Sequence, residues 1–330
     1  MAKDANAAAG RDQDLGDLPA WDLGDLYPDP DCAALSDDLA RCEIEAKAFR
    51  ERYEGALAGL EGAALGAAIS AYEAIQETLG RVTSYAQLVY AGDMSEATIG
   101  RFYQTMQERA TDISAEILFF GLELNRLEEA ALQDKMAAPE LARYGPWLRD
   151  LRAFREHQLS DDLERLLHEK HVAGRAAWVR LFDQTMAALR FPLNGESLTS
   201  AEILNKLTDR DPALREAAAK SLGRVLGENL RTFALLTNTL AKDKEIEDGW
   251  RNFARPVSAR NLENFVEDEV VEALIAAVRA AYPRLAHRYY GLKAKWFGVE
   301  RLPYWDRNAP LPEDEDRLIP WDEARRTVLD

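Results

Sequence analysis

The sequence is poor in cysteine and histidine, short of basic charge, and free of long apolar runs. Two cysteines, Cys32 and Cys42, stand among 330 residues. They are too few for a disulfide framework, and their spacing is not that of a CxxC metal pair. On one helix they would lie too far apart along the axis to bond. Reduced thiols in a reducing, cytoplasmic compartment are the expectation. No stretch approaches the roughly 20 apolar residues of a membrane span. Residues 1–20, rich in Ala, Asp and Gly, lack the apolar core of a signal peptide. Lys and Arg total 41 against 58 Asp and Glu, a formal charge of −17. Nucleic acid and anionic membrane both attract basic faces, so neither is an expected partner. There is no glycine-rich phosphate loop, no nucleophile elbow, no fixed-period repeat and no low-complexity linker.

What is present is helical periodicity from end to end. After a mobile tail over 1–20, Trp21, Leu23, Leu26 and Tyr27 form an apolar anchor closed by Pro28 and Pro30. Ser36 or Asp37 caps a predicted helix to residue 53, with Leu39, Ile44, Ala46 and Phe49 inward. Residues 55–66 break the pattern. Runs over 67–91 and 95–132 follow, the second carrying Phe102, Met106, Ile113, Ile117, Phe120 and Leu124, and Pro139, Gly145 and Pro146 then punctuate the chain. Ser160 opens a predicted helix over 161–189. Its inward stripe takes in Leu163, Leu167, His171, Gly174, Trp178, Leu181 and Met186. On that reading Trp178 and His171 are core residues and His168 lies at the margin. Asn194-Gly195 marks a turn, with a short hairpin as one form open to it, and the boundary between a domain at 21–190 and a second unit at 191–330.

The second unit opens on a capping box, Thr199 to Glu202, and a proline at the first helical position, Asp211-Pro212. The apolar pattern then persists to residue 248, predicting one helix of about 36 residues and roughly 54 Å. Asp243, Lys244, Glu247 and Asp248 crowd its end before Gly249, and Trp250 and Phe253 are expected to fold back onto the core. The plainer reading of those charges is a solvated helix end, and the sharper one a functional polar cluster. Residues 266–296 form another run, which Pro283 should divide. Residues 301–306 read as a strand, 310–316 as an acidic, proline-rich loop, and 321–330 as the start of a helix without an end signal.

Four blocks together resemble the oligoendopeptidase F branch of the thimet-oligopeptidase-like zinc metallopeptidases. The longest runs Asn238-Thr239-Leu240-Ala241-Lys242-Asp243-Lys244, then Ile246-Glu247-Asp248, Trp250-Arg251 and Arg260-Asn261-Leu262. The others are Trp21-Asp22-Leu23 through Leu26-Tyr27, Leu159-Ser160 through Ala177-Trp178, and Leu302 through Trp321. The resemblance implies a mainly α fold: elongated, multi-helix ellipsoid lobes around a deep channel, with a minor β element near 301–320. It implies hydrolysis of short peptides at a zinc-bound water, with oligopeptides as substrates. Tyr304, Asp306 and Arg307 are then candidates for the substrate channel, on an edge strand able to hold an extended peptide. A buried aromatic beside a local Asp–Arg pair is the plainer alternative.

The zinc site itself is missing. Such chemistry needs His-Glu-x-x-His on a helix, with two histidines one turn apart and a glutamate to act on the bound water. His157, His168, His171 and His287 are the only histidines, and none stands in that motif. His168-Glu169-Lys170-His171 has the wrong spacing. A di-metal carboxylate bundle fails too, since the residues three before these histidines are Phe154, Arg165, His168 and Arg284. No catalytic or metal-binding residue is therefore assigned, and no zinc is expected on this chain. The expectation is the N-terminal part of such a peptidase, lacking its C-terminal catalytic half. That half is the expected partner, and self-association the expected consequence of its loss. A non-catalytic helical scaffold or peptide-binding module is the alternative.

Overall fold

In α1 (Ala33–Tyr53), Leu35, Leu39, Cys42, Ala46, Phe49 and Tyr53 are buried. That alternation of four and three is the stripe by which one helix lies along its neighbours. Ile44 falls outside it and is 70% exposed, so the inward position expected for it is wrong. The structure is a computed structural model and describes residues 19, 21–313 and 318–330. The expected tail, residue 19 aside, and positions 314–317 of the acidic loop lie outside the described residues. With 73% of the structure helical and a single two-stranded sheet among the described residues, the chain is mainly α.

α1, α2 (Gly62–Gly92) and α3 (Ala97–Arg126) pack on one another around an aromatic centre. Phe120, fully buried, stacks on Tyr72 at 4.9 Å and meets Phe49 edge-on at 5.1 Å. α4 (Glu129–Met136) and α5 (Gly145–Arg152) close one side. Glycine is required where α2 begins: a Cβ on Gly62 would come within 2.4 Å of the Lys135 carbonyl oxygen. Near the other side, Asp38 accepts hydrogen bonds from Tyr27 at 2.7 Å and Arg41 at 2.5 Å. Burial pushes the Asp38 carboxyl up, but those two donors outweigh it and hold it below the usual carboxylate range.

Three helices expected to be continuous are divided, at points that sequence periodicity does not mark. α3 ends at Arg126 because Arg152 of α5 donates to the carbonyls of Leu124 and Leu127, at 2.8 and 3.0 Å, supplying the donors a helix end lacks. The run over 161–189 splits at Val172–Gly174 into α6 (Asp161–His171) and α7 (Arg175–Ala188). Neither half has a fully buried residue; Trp178 is half-buried and Leu181 exposed. Trp178 is thus at a packed surface and not in the core.

The hairpin is real. β1 (Phe191–Leu193) pairs antiparallel with β2 (Glu196–Leu198), and the turn takes positive φ at Asn194 and Gly195, 53° and 88°. Asn-Gly is the pair that tolerates this backbone. Phe191, Leu193 and Leu198 form a second core with Ile203 of α8 (Ser200–Asn205) and Ala218 and Val225 of α9 (Pro212–Glu228). The capping box at Thr199 and the Asp211 cap are both formed. The long helix breaks at Asn229, whose side chain donates to the Val225 carbonyl at 2.9 Å and whose backbone leaves the helical region. α10 (Leu230–Trp250) continues beyond, running through Gly249. Trp250 is 66% exposed and does not fold back on a core.

After α11 (Ser258–Glu263), Pro283 divides the next run as expected, into α12 (Asp268–Ala281) and α13 (Ala286–Trp296). No strand forms among the described residues of 301–320; the β element sits at 191–198 instead. Tyr304–Asp306 is a 3-10 turn. A strand needs a partner ladder, and here residues 304–306 are drawn into a turn that sets Asp306 on Arg215, while the Arg307 and Ala309 carbonyls just beyond accept from Lys293 Nζ at 2.9 and 2.6 Å. α14 (Trp321–Leu329) closes the description.

Candidate functional site

Lys244, Glu247, Asp248, Arg251 and Arg260 of the longest family-like block line a cleft of about 700 Å³. One wall is the last two turns of α10, with Lys244, Glu247, Asp248 and Arg251. Leu122 and Asn125 of α3, the segment from Phe154 to Glu164, Arg175 at the start of α7, and Arg260 and Glu263 of α11 complete it. Elements far apart in sequence thus meet at the charged end of α10, and they meet through Arg251. Its guanidinium pairs with both oxygens of Glu164, at 2.7 and 2.9 Å, while Nε donates to Glu247 at 2.7 Å. Its carbonyl accepts from His157 Nδ1 at 2.8 Å, and the His157 ring lies flat on Phe253 at 3.8 Å. Lys244 and Asp248 pair at 2.6 Å, the attractive i,i+4 pair legible in sequence.

Asn261, in the Arg260-Asn261-Leu262 motif, is buried and donates to Asp268 at 2.7 Å. That contact ties α11 to the first turn of α12, so this part of the block is structural. Burial pushes the Glu164 carboxyl up. Arg251 and the Leu159 N–H outweigh it, and the group titrates below the usual carboxylate range. A depressed folded pKa contributes stability that is present above the unfolded value and is lost as pH falls through the folded one. Stability should therefore fall below about pH 4, and Glu164→Gln should flatten that acid limb. Thermal midpoints between about pH 3 and 6 check this; identical slopes for the two proteins would refute it.

The sequence-derived candidates are not brought together. Asp306 is buried in an ion pair with Arg215 of α9, whose Nη2 lies 2.7 Å away. The pair is thus not local to Arg307, as the plainer reading had it. Tyr304, 71% exposed, and Arg307 face solvent. His171, expected in the core, is exposed, and His168 keeps the marginal place expected for it. His168 is half-buried with Nε2 2.7 Å from Ser114 Oγ, and burial pushes its imidazole down, while His171 is exposed. His287 lies by Tyr282. Among the described residues no three His, Cys, Asp or Glu side chains gather where a metal ion could be held, so the donors present do not fit the zinc site of the resembled family. Glu164, His157 and Arg251 were missed as a group. Arg251 and Glu164 each carried a signal, a place in a family-like block, and His157 carried none.

A family model described as Oligopeptidase F matches residues 123–191. Oligopeptidase PepF of Bacillus subtilis (strain 168) is 23% identical over 326 residues, covering 94% of this chain and 46% of the relative. Group B oligopeptidase PepB of Streptococcus agalactiae is 26% identical over 261 residues, covering 76% of this chain and 42% of its own length. The chain spans about half the length of the curated relatives it matches. The structure of oligoendopeptidase-F from Enterococcus faecium superposes with a TM-score of 0.74 at 24% identity, over 84% of this chain and 56% of that one. A Bacillus anthracis structure described as a putative oligoendopeptidase F gives 0.65 at 17%, over 83% and 48%. These two likenesses speak for the fold. Family model and curated relatives thus point the same way, to oligoendopeptidase F-like proteins as what this chain is similar to, and the solved structures share its fold.

Proposed function

We propose that these 330 residues are the N-terminal part of a zinc-dependent oligopeptidase of the oligoendopeptidase F type, which hydrolyses short peptides in a deep channel. The observation that carries this reading is the near end-to-end match to relatives of about twice the length. In this reading the metal, its ligands and the catalytic glutamate come from sequence outside these residues. The chain alone is inactive and contributes one wall of the channel, in the cytoplasm. Tyr304 and Arg307 stay candidates for lining it, being exposed; Asp306 is withdrawn into its ion pair. The division into 21–190 and 191–330 is part of the proposal, and two separate buried clusters support it.

The face of α12 and α13 supports the partner half of this reading. α12 has no buried residue, although its apolar positions are periodic. Leu274 and Leu285 are 64% and 63% exposed, and Val270, Ile275, Tyr289 and Trp296 extend the stripe. An apolar surface of this kind associates in water, and we assign it to the C-terminal half. Without that half, a second copy should take its place despite the −17 charge. Sedimentation at two salt concentrations tests this, because salt screens the repulsion between copies. Association should strengthen with salt, and Leu274→Asp should weaken it. A monomer at both concentrations would favour the alternative, a self-sufficient scaffold or peptide-binding module.

A further inference from the structure

Among the charged groups lining the cleft beside α10, the negative ones are all engaged. Glu164 and Glu247 pair with Arg251, Asp248 with Lys244, and Glu263 with Arg260. An ammonium ligand would find no free carboxylate. Arg175, by contrast, lines the same cleft without a hydrogen bond or ion pair to any described residue. A second uncommitted group has the opposite character. The Arg251 carbonyl can only accept, so His157 Nδ1 carries the proton of that bond. In the neutral ring Nε2 is then left as an acceptor. It has no partner among the described residues and is not sealed from solvent. Phe253, flat against the ring, fixes its plane.

The cleft therefore offers one planar cationic fork and one oriented acceptor, beside an apolar wall of Phe154 and Phe253. A ligand that matches must carry an anion and, within the same cleft, an N–H. We propose that the cleft holds the carboxyl end of a peptide: Arg175 pairs with the terminal carboxylate, and His157 Nε2 accepts a backbone N–H of the same peptide. Guanidinium and carboxylate match as two parallel hydrogen bonds, which gives direction as well as attraction. This deepens the oligopeptidase reading and rests on it. It names the substrate end that this part of the chain recognises, and assigns Arg175 and His157 to binding, not to bond cleavage.

The test uses the full 330-residue chain and two peptides, a tetrapeptide with a free carboxylate and the same peptide as its C-terminal amide, titrated by calorimetry. The free acid should bind about tenfold more tightly, the 1.4 kcal/mol expected of one charge-assisted pair. Arg175→Gln should abolish that preference. In carbon-13 spectra the His157 ring resonance should move on titration with the free acid. His157→Phe, which keeps the aromatic stack, should weaken both peptides; if that variant does not fold, the ring resonance of the unaltered protein still decides. Equal affinities for acid and amide, a preference that survives Arg175→Gln, an unmoved His157 resonance, or no binding of either peptide would each overturn the proposal. None of these outcomes depends on metal or turnover, so the site can fail while the peptidase reading stands, and the reverse.

Discussion

Replacing Arg215 by methionine is expected to destabilise the protein by about 3–5 kcal/mol, the cost of leaving a buried charge without its partner. Arg215 is 1% exposed, the largest of the fully buried side chains. Its Nε and Nη2 donate to Asp306 Oδ1 at 2.8 and 2.7 Å, and Nη1 donates to the Asp209 and Arg210 carbonyls at 2.7 and 2.9 Å. One side chain thus ties the residues around 306 to α9 and to the turn that precedes it. Methionine fills most of the volume but supplies no donor, so the Asp306 carboxylate is stranded in the interior. The double variant Arg215→Met, Asp306→Leu should recover much of the loss, since removing both charges together can be nearly neutral. Urea unfolding of the three proteins measures it. A single variant within about 1 kcal/mol of the parent, the range of ordinary substitutions, would mean that the pair is open to water.

That ion pair shows where the sequence stops being legible. Features set by neighbours a few residues apart read correctly: the Thr199 capping box, proline after Asp211, the Asn194-Gly195 turn and the break at Pro283. Each rests on backbone chemistry that one or two side chains decide alone. Features set by distant contacts did not. Arg152 ends α3 from 25 residues or more away in sequence, and Arg215 reaches Asp306 across 91. Periodicity alone could not tell that the run over 161–189 would bend at Gly174, and the bend turned its stripe away from the core. The exposure of His171 has the same origin. A strand over 301–306 satisfied local propensity, but a strand exists only against a partner, and Arg215 instead holds Asp306 in a turn.

The candidate cleft divides in the same way. The pair Lys244–Asp248 was visible as an i,i+4 spacing. The join that makes a site of it, Arg251 to Glu164, crosses 87 residues and has no local signature. What sequence could carry was the family-like blocks themselves, which mark the α10 wall and the Glu164 side of the cleft without saying that the two meet.

The most direct measurement is of zinc and peptide cleavage by the pure 330-residue chain. The four histidines are scattered: His157 on the Arg251 carbonyl, His168 on Ser114, His287 beside Tyr282, and His171 exposed on α6. Tight zinc binding needs three or four donors converging at about 2.0–2.3 Å, and neither the motif nor a substitute cluster brings them together among the described residues. Without that site the largest contribution to catalysis is lost, in a class of catalysts that accelerate their reactions by about a millionfold or more. The expected result is no stoichiometric zinc after dialysis, and a fluorogenic oligopeptide hydrolysed no faster than in buffer. One zinc held tightly per chain, or turnover that a chelator stops, would contradict the account.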